Sequence, residues 1–124
     1  MTFPKRKSPR QARAMGSRAE ALLSKQLTDI GYEVRRTHLS AFPDIFAWNN
    51  RNFLLIEVKA RSDKYTVNNA LSMFRKSAKE LKVVHRDAVL LCYVRNLDTW
   101  RAFRWNGSGT EEVDSLVTGK DNDE

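Results

Sequence analysis

The sequence predicts an α/β domain of three layers, a mixed sheet flanked by helices in the order α-β-β-β-α-β-β. Three observations carry this expectation. An amphipathic helical stripe opens the chain after a basic segment, two apolar strand-like runs follow with a second helical stripe between them, and 124 residues suffice for one core but not two.

Taken in order, Ala19, Leu23, Leu27 and Ile30 share one helical face, with Ser17 as the expected N-cap and Gly31 as the stop, giving a helix of about four turns. Tyr32 to Thr37 reads as a strand, His38 to Phe42 as a loop, and Pro43 to Trp48 as a second strand ending at Asn49-Asn50, a pair suited to a hairpin turn. The third strand, Phe53 to Ala60, begins apolar on both faces, so it belongs in the middle of a sheet covered on two sides. After the polar connection Arg61 to Thr66, Val67, Ala70, Leu71, Phe74, Ala78 and Leu81 mark a second helix whose opposite face carries Arg75, Lys76, Lys79 and Lys82. Val89 to Val94 reads as a buried strand and Trp100 to Trp105 as the last one, broken by Gly107 to Gly109. The remaining tail has too few apolar residues to pack. The division expected is therefore a flexible basic arm over 1–13, a folded domain over 14–110 and an acidic, disordered tail over 111–124.

The net charge of +7 conceals an asymmetry, because the tail after Thr110 holds six acids against Lys120 alone. Residues 1–110 carry 21 Lys and Arg against nine Asp and Glu, an excess of +12, and such a field attracts polyanions, of which DNA and RNA are the commonest. Nothing approaches the run of about 20 apolar residues that spans a bilayer, so no membrane role is expected. The basic N-terminus lacks the apolar stretch of a secretory signal. Cys92, the one cysteine, lies inside an apolar strand and reads as a packing residue, in keeping with a reduced, cytoplasmic setting.

Chemistry concentrates in Ile56-Glu57-Val58-Lys59-Ala60. Glu57 and Lys59 are two apart on a strand and so share a face, and two charges on a central strand need either each other or a site. The hairpin brings in Asp44: a two-residue loop sets it diagonal to Glu57, a four-residue loop directly opposite. Neighbouring carboxylates repel unless a cation lies between them. Oxygen ligands without a His or Cys cluster favour a hard ion, Mg²⁺ or Mn²⁺, to which the Val58 carbonyl adds a further ligand. Glu20 sits on the edge of the Leu23/Leu27 stripe; on helix geometry alone it reads as a first-turn glutamate favoured by the positive helix end.

Gly16-Ser17-Arg18-Ala19-Glu20, then Phe42-Pro43-Asp44, then Glu57-Val58-Lys59 resembles the PD-(D/E)xK nucleases, and most closely the archaeal-type Holliday-junction resolvases, over roughly Arg13 to Val94. The resemblance implies a restriction-endonuclease-like fold and a DNA endonuclease acting on four-way junctions as a homodimer, the domain over 14–110 being the nuclease domain. It also implies that Glu20, Asp44 and Glu57 bind metal while Lys59 assists the attacking water, a set that makes these four the catalytic candidates. Arg13 ahead of Gly-Ser, and Ser40 in the loop before the aspartate, look like family DNA contacts, although the loop Thr37-His-Leu-Ser-Ala-Phe42 is bulkier than the glycine-rich loop expected there. Ser17, Arg18, Arg61, Lys64, Arg75, Lys76 and Lys79 complete the candidate DNA contacts.

His38 is a loop histidine read as a phosphate or solvent contact, and His85 complements a helix end. Trp100, Phe103 and Trp105 read as packing residues in preference to a stacking platform for bases. Two other functions share these features: another nuclease of the same fold (nicking, repair or restriction-like), and a DNA-binding module that does not cleave.

Overall fold

The computed structural model describes residues 9–37, 42–61, 66–81, 88–96 and 99–118. Its elements are α1 (Pro9–Asp29), β1 (Glu33–Arg36), β2 (Ile45–Trp48), β3 (Phe53–Arg61), α2 (Thr66–Glu80), β4 (Ala88–Asn96), β5 (Thr99–Trp105) and β6 (Thr110–Val113). The strands form one mixed sheet in chain order, antiparallel throughout except for the β3–β4 pair. That parallel pair is joined by α2, the crossover a parallel connection requires.

Helices cover both faces of the sheet. On one side Ala19, Leu22, Leu23 and Leu27 of α1 pack on Leu54, Ile56, Val58 and Ala60 of β3 and on Leu91 and Tyr93 of β4. On the other, Val67, Ala70, Leu71, Phe74 and Ala78 of α2 cover Leu55, Leu90, Cys92 and Val94. The expected second stripe is thus the buried one, and the Cys92 thiol is fully enclosed. Trp100 and Phe103 are buried too, one in each layer, with the Trp100 ring edge-on to Tyr93 at 5.8 Å and its Nε1 donating to Gln26 Oε1 of α1 at 3.1 Å. Each large apolar side chain enclosed in this way contributes about 1.5–3 kcal/mol, which is what fixes α1 and α2 on the sheet.

Three expectations are corrected. α1 starts at Pro9, not near Ser17, so Ser17 lies inside the helix and caps nothing. Proline at a first helical position is pre-organised, and Gln-Ala-Arg-Ala-Met after it are good helix formers, so local propensity prevails over the charge that suggested an arm. Ile30 is not part of the stripe: it is 50% exposed, because the helix ends one residue earlier. The ending is a Schellman motif, with Tyr32 N–H on Leu27 O, Gly31 N–H on Thr28 O, and Gly31 at φ +102° where a side chain would be strained. Finally, the tail does pack at its start. Residues Thr110–Val113 add a sixth strand, Val113 and Val117 rest against the α1-side core, and the Leu116 N–H donates to Tyr93 Oη at 3.0 Å. Edge pairing needs backbone partners more than apolar side chains, and that is why composition concealed the strand.

Candidate active site

β2 and β3 are joined by a four-residue loop, Asn49 to Asn52, closed by the Trp48–Phe53 pair and held by Asn49 Oδ1, which accepts the N–H groups of Arg51 and Asn52. The longer of the two expected loops is therefore the one adopted. At the far end of the hairpin Ile45 pairs with Ile56, and Asp44 stands one residue ahead of it. The Asp44 N–H donates to Ile56 O at 2.9 Å and its Oδ2 accepts the Val58 N–H at 2.8 Å, so Asp44 grips the backbone on both sides of Glu57. Asp44 is braced from behind: its carbonyl accepts the Thr37 N–H, the Thr37 hydroxyl donates to Pro43 O at 2.8 Å, and the neighbouring Phe42 ring lies 5.8 Å from Phe74 of α2.

Alternation along β3 turns Ile56 and Val58 toward α1 and Leu55, Glu57 and Lys59 toward the α2 layer. Glu57 is 7% exposed, the one charged side chain among the buried described residues. Lys59 Nζ lies 3.6 Å from its Oε1. Burial pushes the Asp44 carboxyl above its ordinary value; the Val58 N–H pulls it back, the Glu20 charge pushes it up again and Lys59 draws it down. A desolvated carboxylate beside a second acid and a lysine is electrostatically prepared for a cation.

Glu20 reaches this neighbourhood from the α1 layer. Its Oε2 accepts from Arg36 Nη2 at 3.1 Å, and the same nitrogen lies 3.4 Å from both the carbonyl and the hydroxyl of Ser17. Arg36 pairs with Ile45 across β1–β2, which turns its side chain toward α1. Sequence reasoning missed Arg36. The signal was present in the alternation of Val34 and Arg36, which sends a cation to the helix side one strand away from Asp44.

Asp44, Glu57 and Lys59 are thus brought together, whereas Glu20 is engaged by Arg36. Among the described residues no three His, Cys, Asp or Glu side chains gather closely enough to hold an ion as they stand. The donor chemistry nevertheless fits a hard divalent cation at Asp44 and Glu57, and because the N–H and C=O of one strand residue point to the same edge, the Val58 carbonyl faces the Asp44 side.

Among the candidate DNA contacts, Ser17 and Arg18 are exposed on α1, and Lys76 and Lys79 are exposed in the second half of α2, which runs back toward the end of the sheet where β3 begins. Arg75 is half-buried and donates to Thr110 Oγ1 at 3.4 Å. Ser40, Lys64, Lys82, His38 and His85 lie outside the described residues, as do the side chains of Arg13 and Arg61. No described helix is long and apolar enough to cross a membrane.

No curated protein matches the chain. Among solved structures it is similar to the Holliday junction resolvase Hjc of Archaeoglobus fulgidus, an archaeal hyperthermophile, at 24% identity and a TM-score of 0.49, over 83% of this chain and 86% of that one. The family described as archaeal Holliday junction resolvase (hjc) matches residues 11–88, which include Glu20, Asp44, Glu57 and Lys59. With more than half of its length matched in this way, the chain belongs to the archaeal Holliday junction resolvase family.

Proposed function

We propose that this protein is a structure-selective DNA endonuclease that hydrolyses phosphodiester bonds in four-way junctions, working with Mg²⁺ or Mn²⁺ as a homodimer in the cytoplasm. The observation that carries the reading is the grip of Asp44 on the backbone on both sides of Glu57, which sets its carboxylate beside the strand that bears Glu57 and Lys59. Asp44, Glu57 and the Val58 carbonyl would hold the ion, with Glu20 as a third acid. When bound, the ion lowers the pKa of a water and offsets charge on the phosphoryl oxygens. Lys59 orients that water or neutralises the transition state, a role supported by its ammonium lying 3.6 Å from Glu57 and within electrostatic reach of Asp44. The basic excess of residues 1–110 supplies the attraction for DNA. Two opposed strands require two such sites, hence the dimer.

One observation favours a module that binds without cutting: Glu20 is occupied by Arg36. A single assay separates the readings. A labelled four-way junction, a matched duplex and a single strand are incubated with the protein, with Mg²⁺ or with chelator. Paired symmetric nicks confined to the junction and dependent on the ion are expected. Duplex cutting would indicate another nuclease of this fold, and binding indifferent to metal and without products would indicate the non-cleaving module.

A further inference from the structure

Arg36 is held loosely for a half-buried cation. Its three hydrogen bonds to described residues all fall on Nη2, and two of them are 3.4 Å long. Among the described residues its Nε is enclosed without a hydrogen-bond partner, an arrangement that costs free energy and that a strong acceptor would relieve. The residue also lines an open groove of about 590 Å³ between the second half of α1 and edge strand β1, with Ser24, Lys25, Thr28 and the acid Asp29 on the facing wall and Arg35 beside it, three cations against one carboxylate. A guanidinium fork suits a phosphate better than it suits a single carboxylate oxygen.

We propose that Arg36 is a positioning residue with two partners: through its ion pair with Glu20 it holds that carboxylate aside from Asp44 and Glu57, and it passes to a DNA phosphate seated in the α1–β1 groove when Glu20 joins an ion. The inference rests on the metal-dependent reading above and adds an exchange to it. Ion and DNA strand then assist each other, because the ion releases the arginine that the phosphate takes up, and such coupling is reciprocal.

The test is Mn²⁺ titration calorimetry without DNA on the wild type, Arg36→Gln, Arg36→Lys, Glu20→Gln and the Glu20→Gln/Arg36→Gln double variant. Arg36→Gln is expected to bind Mn²⁺ up to about fivefold more tightly, the equivalent of one partly exposed ion pair that no longer has to break. Arg36→Lys keeps the cation and should stay near the wild type, and the double variant should match Glu20→Gln, because the gain acts through Glu20. With Ca²⁺ in place of Mg²⁺, Arg36→Gln should flatten the log-log salt dependence of junction binding by roughly 0.9, one phosphate contact. Unchanged or weaker Mn²⁺ binding in Arg36→Gln, a gain that survives Glu20→Gln, or an unaltered salt slope would each overturn the exchange while leaving a cleaving wild type intact. A wild type that takes up no Mn²⁺ would remove the metal-dependent reading and the exchange together.

Discussion

The Asp44 carboxylate accepts the Val58 N–H at 2.8 Å, yet burial outweighs that bond and holds its proton to higher pH than usual. The folded state therefore binds more proton than the unfolded chain from the ordinary value of 3.8 upward, so stability falls as pH rises through this window and the deficit is complete above the folded value. Asp44→Asn removes the deficit and keeps an oxygen for Val58. In chelator the variant should melt at a higher temperature than the wild type at pH 7, by an amount that shrinks as pH falls toward 3.8. Adding Mg²⁺ should raise the wild-type midpoint and leave the variant's nearly unchanged. A variant less stable than the wild type at neutral pH would show that the carboxylate is at ease where it sits.

In the proposed mechanism Lys59 serves the reacting centre and not docking; it faces Glu57 from 3.6 Å near the end of β3. Lys59→Ala should keep junction affinity within about twofold while cleavage slows by roughly 10²-fold or more, the scale of a lost proton-handling or charge-stabilising group. Asp44→Ala should lose Mn²⁺ affinity as well as cleavage. Gel-shift and single-turnover cutting on the same preparations check both, and normal cutting by either variant would strike that residue from the mechanism.

How much of this was legible in the sequence depended on where each residue's partner lies. Glu57 and Lys59 could be paired from strand period alone, and Asp44 could be brought to them because either hairpin loop leads to the same neighbourhood; the choice of loop came from the Asn49 side chain, which folds over the turn. The two core layers followed from the stripes on α1 and α2. Glu20 had a helix but no visible counter-charge, because its partner Arg36 is 16 residues on and reaches it only through the packing of α1 on β1. β6 was hidden for a similar reason: it is held by backbone pairing to β5 and by the Arg101–Glu112 contact, neither of which shows as apolar periodicity.

That contact contributes less than its geometry suggests. Arg101 meets Glu112 through two nitrogens at 3.0 and 2.7 Å, but the two side chains are 45% and 49% exposed, so solvent and salt screen them. The Arg101 bond holds the Glu112 carboxyl below its ordinary 4.5, so the pair stabilises above that value and the gain is lost as pH falls through the lowered one. Arg101→Ala should cost under about 1 kcal/mol at neutral pH and less in 1 M salt, read by urea unfolding. A loss of about 2 kcal/mol that persists in 1 M salt would mean that the contact of Arg101 with the Phe103 ring, 5.1 Å from its centroid, carries the stability instead.

The buried end of the same segment is the stronger clamp. Tyr93 is fully enclosed, its hydroxyl pushed toward higher pKa by burial, and that hydroxyl accepts the Leu116 N–H just beyond β6. Tyr93→Phe keeps the ring against Trp100 and removes the hydroxyl, leaving the Leu116 N–H unmatched at a part-buried position and ending the contact with the Ser115 side chain. The expected cost is about 1 kcal/mol, or roughly 4 °C in melting temperature, with faster hydrogen exchange at Leu116 and little change at Phe74 in the α2 layer, on the other face of the sheet. Equal exchange at Leu116 in both proteins would show that Val113 and Val117, packed against the α1-side core, seat the segment without help from the hydroxyl.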